Sequence, residues 1–104
     1  MLTMSQIEEL GRHIGRKFPA ERVVLFGSYA NGTVREDSDV DLLVIAATSL
    51  PPGQRYAAVR RLVADYPAAF DIIVKTPEEY VRWRSVVNHV VHYADRCGRV
   101  LYEG

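Results

Sequence analysis

The sequence predicts a mixed α/β fold of the α+β two-layer kind, with helices packed on a small mixed sheet of three to four strands. Three observations predict it. Apolar residues recur at helical spacing near the start and again after position 51. Short β-branched runs sit between those stretches, and Gly or Pro punctuates the junctions. The implied order is helix, strand, strand, helix, strand, helix, which builds one sheet rather than a bundle.

Ser5 followed by Glu8 has the form of a capping box, and Ile7, Leu10, Ile14 and Phe18 then keep helical spacing, predicting a first helix from about Ser5 to Lys17. Arg22 to Phe26 (RVVLF) is short, apolar and β-branched, a buried strand that Gly27 ends sharply. Ser28 to Gly32 has room for one helical turn, and Gly32 to Ser38 is a polar loop. Val40 to Ile45 is a second strand, apolar on both faces except where Asp39 and Asp41 interrupt it.

Pro51, Pro52 and Gly53 precede a second long helix, where Tyr56, Val59, Val63 and Tyr66 form one stripe. Arg55, Arg60 and Arg61 fall largely off that stripe, and with Arg82 and Arg84 they read as a solvated face. Pro67 stops the helix, and Phe70 to Val74 is a third strand carrying one acid, Asp71. Thr76-Pro77-Glu78-Glu79 is a helix start with a capping residue, proline at the first position and acids in the first turn. Helical spacing continues, with a break near Ser85, until Gly98. Tyr80, Trp83, Val87, Val90 and Val91 are expected mainly in the core, with a partner surface as their second use, and Val100 to Tyr102 as a short edge strand.

A length of 104 residues fits one domain spanning 1–104. Thirteen basic and thirteen acidic side chains leave no global field, so neither nucleic acid nor a membrane surface is an expected partner. An anionic ligand must be held by local chemistry. Cys97 is the only cysteine, which excludes an internal disulfide and favours a reducing compartment. MLTMSQIEEL lacks the basic and apolar regions of a signal peptide, and no apolar run nears the ~20 residues of a membrane helix, so a cytoplasmic protein is expected.

The chemistry concentrates between Phe26 and Ile45. Gly27 lacks a side chain where a ligand must approach the backbone, and Ser28 brings a hydroxyl to a helix start whose free N–H groups favour phosphate. Asp39 and Asp41, two apart, point to one face of a strand, with Cα atoms ~6–7 Å apart. Asp71, on another strand, is a candidate third carboxylate. Two carboxylates ~6 Å apart repel by about 0.7 kcal/mol in water and about 3 kcal/mol at an effective dielectric of 20. Aspartate also suits strands poorly, so such a cluster needs a compensating cation. Mg²⁺ is hard, seeks oxygen and bridges carboxylates to phosphates, and a pair of such ions serves in-line displacement.

Two other loops fit less well. Asp37, Asp39 and Asp41 mimic the opening of an EF-hand, but Leu42 and Thr48 stand where its glycine and glutamate belong. Gly27 to Gly32 has P-loop glycine spacing, but Thr33 stands where lysine is required. His13, His89 and His92 have no metal-ligand spacing with cysteine.

Gly27-Ser28, then Gly32, then Ser38-Asp39-Val40-Asp41-Leu42 resembles the G-S-x(n)-D-x-D signature of the DNA polymerase β-like nucleotidyltransferase superfamily. More narrowly, the short chain, G-S-Y-A-x-G-T and S-D-x-D-L-L-V resemble minimal nucleotidyltransferases of the HEPN/MNT toxin–antitoxin type. The resemblance implies a nucleotidyltransferase core in which Gly27 and Ser28 hold the triphosphate. It assigns Asp39 and Asp41 to two Mg²⁺ ions, and Asp71 to one metal and to activation of the attacking hydroxyl. Asn31 stands where many relatives carry arginine.

It also implies ATP as donor and an acceptor supplied by another chain, in a homo- or hetero-oligomer. The expected function is transfer of AMP to a hydroxyl of a HEPN-type ribonuclease toxin, making this chain an antitoxin. One alternative is an antitoxin with weak or no catalysis that neutralises its partner by contact. Another is transfer to a small molecule, as in aminoglycoside-modifying relatives.

Overall fold

The computed structural model describes residues 2–87 and 89–104. The elements are α1 (Met4–Lys17), β1 (Arg22–Phe26), α2 (Ser28–Asn31), β2 (Val40–Ile45), α3 (Pro52–Leu62), β3 (Phe70–Lys75), α4 (Pro77–Trp83), α5 (Val90–Cys97) and β4 (Arg99–Glu103). The strands form one mixed sheet in the order β3-β2-β1-β4. β1 runs antiparallel to β2 and β4, whereas β2 and β3 are parallel and need the α3 crossover between them. The expected α+β architecture is the one observed, and β4 extends the anticipated edge strand by one residue at each end.

The cap of α1 differs from expectation. Thr3, not Ser5, is the N-cap: its hydroxyl accepts the Gln6 N–H at 3.2 Å, and Gln6 Oε1 accepts the Thr3 N–H at 2.8 Å. Thr-x-x-Gln obeys the same rule as Ser-x-x-Glu two positions later. What selects it is burial, because the earlier start puts Leu2 just outside the helix, in the same cluster as Ile7, as a hydrophobic staple requires.

Strand alternation sends side chains to two faces. Val23, Leu25, Leu42, Val44 and Ile72 pack with Ile7, Leu10 and Ile14 of α1 and Val59 of α3. Each fully buried Leu or Ile there contributes about 1.5–3 kcal/mol. Val24, Phe26, Leu43 and Ile45 point the other way, against Tyr80, Val91 and Ala94 of α4 and α5. Gly11 and Gly15 let α1 approach β4 closely, because a Cβ at either would strike Leu101 or Tyr102.

Three further expectations need correction. The second long helix stops at Leu62, so Tyr66 lies beyond it and Tyr56 is exposed. Arg55 is not on a solvated face but buried: its Nε donates to Leu50 O at 2.9 Å, and its Nη1 to Glu79 Oε1 at 2.7 Å and Val74 O at 3.3 Å. The guanidinium satisfies groups from three segments at once, which offsets its removal from water. In the C-terminal stretch, Tyr80 and Val91 are core as expected, but Val87 is 69% exposed and Val90 38%. The helix breaks after Trp83, near the anticipated Ser85, and α5 resumes at Val90 on a new axis. Position 88 of that stretch, like position 1, lies outside the described residues.

Candidate functional site

The site begins where β1 stops. Gly27 has φ 72° and ψ −154°, a backbone region that residues with a Cβ avoid. Its carbonyl accepts N–H bonds from Ala30 at 3.1 Å and Asn31 at 3.2 Å, so the chain turns at once into α2 with half-buried Ser28 as its first residue. Gly32, left-handed at φ 80°, ends that turn. The Asn31 side-chain oxygen then accepts the Thr33 N–H at 3.1 Å. Asn31 therefore fastens the loop's first bend, a role readable from Asn-Gly-Thr as an Asx turn.

A second bend delivers the acids. Arg35 N–H donates to Ser38 Oγ at 2.8 Å, and Ser38 N–H donates to Arg35 O at 3.0 Å. Asp39 follows, exposed, just before β2, and Asp41 is half-buried within the strand. Asp41 stands opposite Phe26 on β1 and opposite Asp71 on β3. Asp41 lies two residues before Leu43, and Asp71 two before Ile73, which packs on the same cluster. Both carboxylates therefore occupy the sheet face that carries α4 and α5, at its open end. A Cβ built on Gly27 would overlap Asp41 Oδ2 and lie 3.0 Å from its Cγ.

Burial, and after it the negative charges of Asp71 and Asp39, together push the Asp41 carboxyl up to about 6. Both neighbouring acids thus act on Asp41 electrostatically. Among the described residues, no three His, Cys, Asp or Glu side chains already form a closed metal cage. Mg²⁺ does not require one, since it keeps several waters and takes one or two carboxylates together with substrate phosphates. A hard, all-oxygen donor set whose central member resists ionisation for want of a counter-charge fits that ion.

Two hollows of the surface lie away from the acids. One of about 370 Å³ is lined by Glu9, His13, Leu62, Asp65 and Tyr66, and one of about 290 Å³ by residues that include Arg22, Tyr80 and Val81. The carboxylate site is an open edge of the sheet. Arg55 was the residue least visible in sequence, since nothing in its spacing marks it as the one buried arginine of its helix. Through Val74 and Glu79 it ties α3 to the end of β3, the strand that carries Asp71.

Comparison with known proteins points one way. The protein adenylyltransferase MntA of Thermococcus cleftensis is 40% identical over 48 residues, covering 42% of this chain and 48% of that protein. The chain spans about half the length of such curated relatives. A crystal structure of a toxin–antitoxin with AMP-PNP superposes with a TM-score of 0.66 at 25% identity, covering 99% of this chain and 75% of the other. A tri-AMPylated Shewanella oneidensis HEPN toxin in complex with MNT antitoxin gives a TM-score of 0.56 at 22% identity, over 96% and 69% of the two chains, a likeness of fold alone. Residues 7–94, which include Gly27, Ser28 and all three aspartates, match the nucleotidyltransferase domain, and the chain belongs to that family.

Proposed function

We propose that the chain, acting as one nucleotidyltransferase domain over residues 1–104, is a Mg²⁺-dependent protein adenylyltransferase. It takes AMP from ATP and gives it to a hydroxyl of a HEPN-type toxin, and so works as an antitoxin in the cytoplasm. The observation that carries this reading is the register that sets Asp41 opposite Asp71 and beside bare Gly27. The adenylyltransferase relative and the AMP-PNP-bound structural neighbour support it.

Asp39 and Asp41 would hold two Mg²⁺ ions, with Asp71 on one of them, and ions held there would supply positive charge to offset that of the triphosphate and of the departing pyrophosphate. Gly27, bare of a Cβ, makes room for the Asp41 carboxylate, and Ser28 offers its hydroxyl and backbone N–H to phosphate oxygens. Asp71, exposed on the edge strand, takes the proton of the acceptor hydroxyl. The hydroxyl oxygen bonds to the α-phosphorus, the α–β anhydride bond breaks, and pyrophosphate carries away the electron pair.

Mixing the purified chain with its HEPN-type partner, ATP and Mg²⁺, then weighing both proteins, tests the reading. One or more added AMP groups on the partner are expected. An inhibited but unmodified partner would instead favour neutralisation by contact.

A further inference from the structure

Exposed large hydrophobic side chains gather in one part of the molecule. Of the seven among the described residues, Val81, Val86, Val87, Val90 and Tyr93 all belong to α4, α5 or the turn between them. Val90 and Tyr93 are three apart on α5 and share a face, and exposed Arg96 continues the same line. Exposed Val86 and Val87 precede this strip in the turn, where the Trp83 and His89 rings stack 4.5 Å apart. A gathering of exposed apolar side chains of this kind marks a contact site rather than scattered exposure.

Two observations say what covers it. The first is charge. In this stretch Glu79 is engaged by Arg55, and Asp95 accepts the Tyr80 hydroxyl. Glu78 is exposed, but so are Arg82, Arg84 and Arg96, which form no ion pair among the described residues and outnumber Glu78 and Asp95. The strip is therefore apolar with a basic border. A surface of apolar residues flanked by carboxylates matches that border better than a second copy of this chain, whose own border is also net basic.

The second observation is direction. The C-terminal end of α5 leads into Gly98, which lies against Val24 and Leu25, and Arg99 stands opposite Leu25 on β1. One residue further along β1, Phe26 faces Asp41. The strip thus runs toward the carboxylate end of the sheet, on the face that holds Asp41 and Asp71. The opposite face is filled by α1 and α3.

We infer that Val87, Val90, Tyr93 and Arg96 form the dock for the acceptor protein, which meets them with an apolar surface bordered by acidic residues. Bound there, the partner presents its hydroxyl to the open carboxylate edge. The inference rests on the proposed transfer to a HEPN-type protein, but docking and chemistry separate in experiment.

The test is co-expression of the full chain with a HEPN-type protein from the same genome, with complex affinity and adenylylation read separately. Val87→Asp and Tyr93→Asp, both at exposed positions, are expected to fold as the wild type by circular dichroism. Each should weaken the complex by roughly tenfold to a hundredfold. Arg96→Glu should weaken it and Arg96→Lys should largely restore it. Asp41→Asn should bind normally without transferring AMP. Full-strength binding by Val87→Asp and Tyr93→Asp would overturn the inference, as would failure of the wild type to bind the HEPN-type protein. A wild-type dimer in sedimentation that Val87→Asp dissolves would also overturn it, in favour of a second copy as occupant. Binding through the strip without any AMP transfer would sink the proposed activity and leave the dock standing.

Discussion

The carboxylate of Asp41 occupies the space where any residue but glycine at position 27 would carry its Cβ. Two constraints therefore meet at one position. The backbone of Gly27 has a positive φ, and its bare face is filled by an acid from the neighbouring strand. Gly27→Ala should cost about 1–3 kcal/mol from backbone strain alone and should displace Asp41. Urea unfolding reads the first effect, and loss of AMP-PNP binding reads the second. An alanine variant with unchanged midpoint and affinity would contradict the packing described here.

Asp41 also makes stability depend on pH. Its folded carboxyl is raised to about 6 from an ordinary value of 3.8. A raised acid favours the fold while protonated, so its contribution is complete below about 4 and is lost as pH rises through 6. Without metal, Asp41→Asn should therefore stabilise the domain at pH 7.5 by about 1 kcal/mol, a figure kept low because the group is partly exposed to water. At pH 4 the gain should vanish. Thermal unfolding at the two pH values in a chelator checks this, and an equal effect at both would refute it.

Glu79 behaves in the opposite sense. Its carboxylate accepts the Thr76 N–H at 2.8 Å and pairs with Arg55 at 2.7 Å, and these contacts hold its carboxyl below the usual range. Such a group stabilises the fold above its ordinary value and loses that contribution as pH falls through the lowered one. Arg55→Met should cost roughly 2–4 kcal/mol at neutral pH, because Leu50 O and Val74 O lose a donor and Glu79 loses its counter-charge. The same variant should show a weaker acid-side decline than the wild type in a pH series of urea midpoints.

The approach of α1 to the sheet edge offers a check on the fold itself. Gly15→Ala would drive a methyl group into the Tyr102 ring, and β4 would have to shift. A loss of about 1–3 kcal/mol is expected, whereas Gly53→Ala, with open space around it, should change little. Equal midpoints for the two variants would argue against the placement of β4.

Much of this was legible in the sequence, for identifiable reasons. Strand runs such as RVVLF and the Thr76-Pro77 start are local signals, and the structure keeps both. Gly27, Asp39 and Asp41 stood out as candidates because their spacing carries chemistry that packing alone does not demand. The exact cap was not, since Thr3/Gln6 and Ser5/Glu8 satisfy one rule and only the burial of Leu2 decides between them. Nor was the burial of Arg55, which depends on carbonyls and an acid brought to it by segments up to 24 residues away. Val87 and Val90 read as core because valine usually is, and the break of the helix turned them outward.

The proposed activity depends most on the aspartates acting as a divalent-ion site for a nucleoside triphosphate. Calorimetric titration of AMP-PNP into the wild type, Asp39→Asn and Asp41→Asn, with and without Mg²⁺, tests that directly. Binding by the wild type only when Mg²⁺ is present, weakened at least about tenfold in each variant while the fold persists, is the expected result. Undiminished binding in both variants, or binding by the wild type that ignores Mg²⁺, would contradict it.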